Sequence, residues 1–138
     1  MDQISFIQRL IFNYLIGNSD AHGKNNSMLF VDRQPQLAPA YDLLSTVIYP
    51  NLSNKMAMKI GGKDDPDVVL LRHWHRIVTD TAAARKALSK DLIKMSKDCL
   101  AQAYTLKSVL KAQGTYSTIF EDICQVIKKR SECILKQF

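Results

Sequence analysis

From Val68 to the carboxy-terminus, apolar residues return every three or four positions, and Gly114 is the one clear break in the pattern. That spacing puts side chains on one face of a helix. It predicts helices over about 68–78, 80–88, 90–112 and 117–137, with Gly114 ending the third. Leu92, Met95, Cys99, Ala103, Leu106 and Leu110 form one stripe, and Ile119, Ile123, Val126, Ile127, Ile134 and Leu135 form another. A striped helix needs its stripe covered, so the back half must pack helix against helix. The front begins the same way: Ile4, Ile7, Leu10, Ile11, Tyr14 and Leu15 predict a helix over 3–16, stopped by Gly17 and Asn18. Phe6 and Phe12 widen its apolar face, which implies burial on more than one side.

Between these helical regions the period changes. "SMLFVD", Ser27 to Asp32, suits a short buried strand; "RQPQ" turns the chain and "LAPAY" returns it, with Pro39 confining the return to an edge. "YDLLSTVIYP" reads as a bend or one helical turn. "KMAMKIGG", residues 55–62, suits a second short strand ended by Gly61 and Gly62, and "KDDPD" clusters acids where a helix start favours them. The expected fold class is mainly α, with a small β-hairpin inserted after the first helix. At 138 residues, with 46% hydrophobic and 23% charged, residues 1–138 are expected to form one globular domain.

Cys99, Cys124 and Cys133 are odd in number and form no CxxC pair, so free thiols of a reducing compartment are expected rather than disulfides or zinc. His73 and His75 stand two apart on a predicted helix and face different ways, which disfavours a zinc pair; Trp74 between them is expected in the core. "MDQISFIQRLIF" makes a poor signal peptide, and no run approaches a membrane span, so a cytoplasmic location is expected. Nineteen basic against thirteen acidic residues give a net charge of +6, a weak pointer to an anionic partner. The basic patch "IKKRSE" near the end suits a solvated helix face, and direct nucleic-acid binding is not expected.

The segment "IGNSDAHGKNNSMLF", residues 16–30, crowds Asp20, His22, Lys24 and three asparagines behind the first apolar helix. A hairpin returns the chain beside its start, so Asn25, just before the first strand, should meet Asp42, just after the second. Asp and Asn supply the hard oxygen ligands that Mg²⁺ takes, and a further carboxylate, Asp20, is available to orient a hydroxyl. Asp20 to Asn25 fits the D-x-x-x-x-N spacing of the protein-kinase catalytic loop, with Asp42 where a second metal-binding aspartate would follow. Spacing alone leaves a capped turn as an open alternative, since Asp and Asn are ordinary turn residues.

The wording of the two segments carries more. "GNSDAHGKNNS" followed by "LAPAYDLLST" resembles the C-terminal region of the HipA-type toxin kinases, a bacterial serine/threonine kinase family whose members carry loops close to G-x-x-D-x-H-x-K-N-x-S and then P-x-Y-D-[LI]. "KMAMKIGGK" and "HWHRIV" resemble its downstream strand and helix, so the likeness runs from the first helix to at least Val78. The resemblance implies a helical kinase-like C-lobe in which Asp20 is the catalytic carboxylate and Asn25 and Asp42 bind Mg²⁺ and, through it, ATP. It also gives His22 a catalytic place near the γ-phosphate, with Lys24 as a second source of positive charge there. Leu43 stands where protein kinases have the glycine of their metal-binding tripeptide.

The five glycines form neither G-x-G-x-x-G nor G-x-x-x-x-G-K, and few residues precede the first helix. The chain is therefore expected to be a C-lobe fragment, a truncated product or one piece of a split enzyme, inactive alone for want of the lobe that clamps ATP. An extra apolar patch is expected where that lobe would dock. As a toxin the family implies a protein substrate such as an aminoacyl-tRNA synthetase, and a DNA-binding antitoxin partner. The alternative reading is a non-catalytic module that binds an antitoxin, a separate N-lobe protein or nucleic acid.

Overall fold

A computed structural model describes residues 2–138. Helix α1 (Asp2–Ile16) leads through a one-turn 3-10 helix (Gly23–Asn25) into strands β1 (Met28–Val31) and β2 (Gln34–Leu37). Two more 3-10 turns, Thr46–Ile48 and Pro66–Val68, precede the short α2 (Leu71–His75) and the long α3 (Ala82–Ala112) and α4 (Thr118–Leu135). The chain is mainly helical, with a two-stranded antiparallel hairpin after the first helix. No helix among the described residues is long and apolar enough to cross a membrane.

Helix α1 ends as its sequence dictates. Gly17 adopts a φ of 72°, its N–H donates to Tyr14 C=O at 3.2 Å, and Asn18 N–H donates to Asn13 C=O at 2.9 Å. This paired arrangement satisfies two carbonyls that the helix would otherwise leave open. A Cβ at Gly17 would stand 2.4 Å from Val47 Cγ2 and 2.8 Å from Val126 Cγ1, so the stop is also a close crossing of three segments. The carboxy-terminal part of α1 is buried on several sides: Ile11, Asn13, Tyr14, Leu15 and Ile16 are all inside. Its first turns differ from the expectation, because Ile4 and Phe6 are exposed.

The core gathers Ile11, Tyr14, Leu15, Ile60, Trp74 and Leu92, with Leu88 and Ile134 from the long helices. Trp74 is 1% exposed and meets Tyr14 edge-on, with ring centroids 5.4 Å apart. Arg130 covers the Tyr14 ring at 5.1 Å, and Tyr14 Oη donates to Pro66 C=O at 3.2 Å. Burial pushes the Tyr14 phenol up to about 12. The thiols of Cys99, Cys124 and Cys133 are free; Cys124 is buried and the other two are half-buried. Among the described residues no cluster of His, Cys, Asp and Glu is arranged to hold a metal ion.

Several boundaries depart from the sequence expectation. Residues 80–88 and 90–112 are one continuous helix, because Ser89 and Lys90 contain no breaker and Thr81 caps the whole with a bond from Ala84 N–H at 3.1 Å. Helix 68–78 shrinks to Leu71–His75, after a 3-10 turn capped by Asp65. Residues 55–62 form no strand; Ile60 and Lys63 make an isolated bridge, while Met56 N–H donates to Asp64 C=O and Ala57 N–H to Ser19 C=O. Their backbone groups are spent on the polar loop and a local turn instead of a ladder. On the outer parts of the stripes, Leu106 and Ile119 are exposed.

The hairpin register also shifts. Val31 faces Gln34, so Asp32 and Arg33 make a two-residue turn, at φ 49° and 64°, and the return strand is Gln34–Leu37 rather than "LAPAY". Two left-handed residues match the twist of such a turn. Closure at Val31/Gln34 leaves Pro35, opposite Phe30, at a position whose missing N–H faces outward. Nor is the strand buried: Met28, Leu29, Phe30 and Val31 are all exposed, Phe30 to 77%.

The short α2 carries a pH-sensitive contact. His73 is buried, and its Nδ1 accepts Leu70 N–H at 2.9 Å. Burial first, then the positive charges of Arg72, Lys63 and Arg76, lower its pKa from the ordinary 6.5. The folded state therefore resists a proton that the unfolded chain accepts, so this contribution to stability is present above pH 6.5 and is lost as pH falls below it. Thermal melts should show a lower midpoint at about pH 5.5 than at about pH 7.5, with the difference reduced in His73→Asn.

Candidate functional site

The polar loop is assembled by bonds that reach across the fold. Asn25 and Asp42, 17 positions apart, meet at the root of the hairpin: Asn25 Nδ2 donates to Asp42 Oδ2 at 2.6 Å. The hairpin supplies the proximity, because Ala38 N–H donates to Ser27 C=O at 2.8 Å and carries the pairing one step below the strands. Tyr41 ties the two sides again, its Oη donating to Lys24 C=O at 3.0 Å and lying 3.2 Å from Ser27 Oγ. Asp42 itself sits at a φ of 57°, a left-handed conformation that a non-glycine residue holds only when its surroundings impose it.

Within the loop, His22 N–H donates to Asn25 Oδ1 at 3.0 Å, while Asn25 N–H donates to His22 C=O at 3.0 Å. These reciprocal bonds close the 3-10 turn and fix the Asn25 amide plane. His22 is half-buried, and its Nδ1 is enclosed without a partner among the described residues. Lys24 and Asp20 are exposed. Asp20 N–H donates to Asn18 Oδ1 at 3.2 Å, so its backbone is anchored while its carboxylate faces solvent.

Four residues outside the expected set hold this arrangement. Arg9, on α1, donates from Nη1 to Asn26 Oδ1 at 3.1 Å and from Nη2 to Ala38 C=O at 2.6 Å, clamping both sides of the hairpin root to the helix. Thr46 Oγ1 accepts Ser19 N–H at 2.8 Å and donates to Gly17 C=O at 3.3 Å. Asn18 donates to Asp42 C=O at 2.9 Å. The sequence marked Asn18 only as part of a helix stop and was silent on Arg9, Thr46 and Asn26, whose partners lie 17 to 29 positions away.

Chemically, the site presents two carboxylates and an amide on a backbone that is fixed at several points. A carboxylate together with an amide oxygen is a hard donor set of the kind Mg²⁺ accepts; here the Asp42 carboxylate meets Asn25 Nδ2 rather than its oxygen. Asn25 Oδ1 accepts the His22 N–H and keeps a second lone pair, so Asn25 and Asp42 fit a divalent cation that displaces the hydrogen bond from Nδ2 to Asp42. A separate concavity of about 580 Å³ lies between α1, α3 and α4, lined by Phe12, Met95, Cys99, Leu106 and Phe120 among others, and it includes no residue of the polar loop.

Comparison with known proteins places this site in context. The model of the family described as HipA-like C-terminal domain matches residues 1–105. The chain is 58% identical over 60 residues to Y4mE of Sinorhizobium fredii, named a candidate kinase, covering 44% of this chain and 14% of that protein. It is 30% identical over 91 residues to the serine/threonine-protein kinase toxin HipA of Shewanella oneidensis, covering 66% of this chain and 21% of the toxin. A solved complex of Shewanella oneidensis HipA, HipB and operator DNA contains a chain that superposes with a TM-score of 0.77 at 22% identity, over 95% of this chain and 32% of that one. At that identity the likeness speaks for the fold alone. The chain thus spans between 14% and 32% of the length of these relatives.

Proposed function

Because the chain belongs to the family of HipA-like C-terminal domains, we propose that it is the metal- and acceptor-binding part of a protein serine/threonine kinase centre. The observation that carries this reading is the meeting of Asn25 and Asp42 at 2.6 Å, with Asp20 on the same loop. Asn25 and Asp42 would hold Mg²⁺, which when bound neutralises the ATP phosphates. Asp20, exposed and backbone-anchored, accepts the hydrogen bond of a serine or threonine hydroxyl and orients its oxygen toward the γ-phosphate. His22 and Lys24 would face the phosphates, Lys24 supplying positive charge and His22 a hydrogen-bond donor. Positioning of this kind supplies most of the rate in phosphoryl transfer, since the protein has little covalent work to do.

This reading also proposes what lies outside the chain. The sequence offers no glycine-rich phosphate loop, so a second lobe must clamp the nucleotide, either from the remaining length of the relatives or from an N-lobe protein. The chain alone should bind ATP–Mg²⁺ at millimolar strength or weaker in a calorimetric titration. Micromolar binding would contradict the division of labour. By analogy with the solved HipA, HipB and operator DNA complex, a DNA-binding antitoxin is the proposed partner; an aminoacyl-tRNA synthetase is a proposed substrate on the family resemblance alone.

A second reading, a non-catalytic binding module, is favoured by the exposed apolar hairpin, where Met28, Leu29, Phe30 and Val31 face solvent on both sides. It predicts that alanine at Asp20 and Asp42 leaves every function of the chain intact, whereas the kinase reading predicts loss.

A further inference from the structure

The side chain of Asn18 touches both candidate carboxylate residues through their backbones. Asn18 is 6% exposed. Its Nδ2 donates to Asn13 Oδ1 at 2.9 Å and to Asp42 C=O at 2.9 Å, while its Oδ1 accepts Asp20 N–H at 3.2 Å. One amide therefore uses both of its protons and its oxygen to join the end of α1, the acceptor-side aspartate and the metal-side aspartate. Asn13 is itself held, its Nδ2 donating to Arg9 C=O at 3.1 Å. Asn18 is thus the last link of a buried chain that starts inside the helix, and it grips Asp42 at the residue whose φ of 57° needs external support.

We propose that Asn18 is a positioning residue: it fixes the placement of Asp20 relative to Asp42 and holds the Asp42 carboxylate toward the cation. This rests on the proposed function for the identity of the cation site, but the effect on Asp42 geometry does not. An aspartate at position 18 has nearly the same shape and keeps an acceptor for Asp20 N–H. It lacks both donors and sets a carboxylate against the Asn13 and Asp42 carbonyl oxygens, so the grip becomes a repulsion. A residue behind the ligands commonly sets metal affinity by such orientation, and its loss costs roughly 10- to 100-fold.

The test uses the 138-residue chain, NMR assignments and Mn²⁺ as the probe ion. In the wild type, Mn²⁺ should broaden the resonances of Asn25 and Asp42 first, and the Asp42 Cα and Cβ shifts and amide coupling should report the left-handed conformation. Asn18→Asp should weaken Mn²⁺ binding by roughly 10- to 100-fold and move Asp42 out of that conformation. Asn18→Ser, whose hydroxyl still accepts Asp20 N–H but falls short of Asp42, should do the same more mildly and guards against loss of folding. Leu88→Ala removes a core side chain far from the loop in sequence; at a comparable drop in melting temperature it should preserve both readouts. Unchanged Asp42 geometry in both Asn18 variants overturns the proposal, and so does equal damage in Leu88→Ala, which would mark the effect as general loosening. A wild type without selective Mn²⁺ broadening sinks the metal reading instead; in that case a shift of Asp42 in the Asn18 variants still supports Asn18 as its positioner.

Discussion

Asp42→Ala, in a protein that joins this chain to a nucleotide-clamping lobe, is expected to lower phosphoryl transfer by roughly 10²–10³-fold and to weaken the dependence of the rate on Mg²⁺. Asp42 carries the one full negative charge of the proposed ligand pair, and Asn25 donates to it at 2.6 Å. Without the carboxylate, Asn25 loses its partner as well, so both ligands fail together. Asp20→Ala should behave differently. Its carboxylate touches the acceptor rather than the nucleotide, so turnover should fall by roughly 10²–10⁴-fold while the KM for ATP changes little. Steady-state kinetics with varied ATP and Mg²⁺ separates the two patterns. A shared pattern, with ATP affinity lost in both variants, would mean that the two aspartates have been given the wrong sides of the site.

Trp74→Ala should be among the most destabilising single substitutions, at about 3–5 kcal/mol. The indole is 1% exposed and lies edge-on to Tyr14, whose ring also carries Arg130 on its surface. Deleting it opens a cavity between α1 and α2 and removes an aromatic contact worth about 0.5–1.5 kcal/mol beyond its area. Trp74→Phe should cost much less, because Trp74 Nε1 is buried without a hydrogen-bond partner among the described residues and no bond is lost with it. Urea unfolding with an unchanged slope measures both. A loss below about 1 kcal/mol for Trp74→Ala would show that the core relaxes around the gap. The effect should reach the site, since Tyr14 immediately precedes the end of α1 from which Asn18 holds the loop.

The helices were legible because each covers an apolar stripe against its neighbours, and a period of three to four residues survives any detail of packing. The division of α3 was misread at Ser89 and Lys90, a half-buried and an exposed polar residue that do not interrupt the helix. The hairpin was legible, but not its register. Asp32 and Arg33 turn left-handed without a glycine, and the chain accepts Pro35 because it stands where no ladder N–H is needed. An apolar tetrapeptide, Met28 to Val31, suggested a buried strand, whereas its cover does not come from the described residues. The closeness of Asn25 and Asp42 followed from hairpin connectivity alone. Asn18, Arg9 and Thr46 did not, because their importance lies in partners that only the folded chain brings near.

The central claim is that Asp20, Asn25 and Asp42 act as one site. A double-mutant cycle on phosphoryl transfer, in the protein with both lobes, tests it most directly. If the residues act as a unit, Asp20→Asn combined with Asp42→Asn should cost little more than the more damaging of the two alone. Losses that multiply, or transfer that survives either substitution, would contradict it.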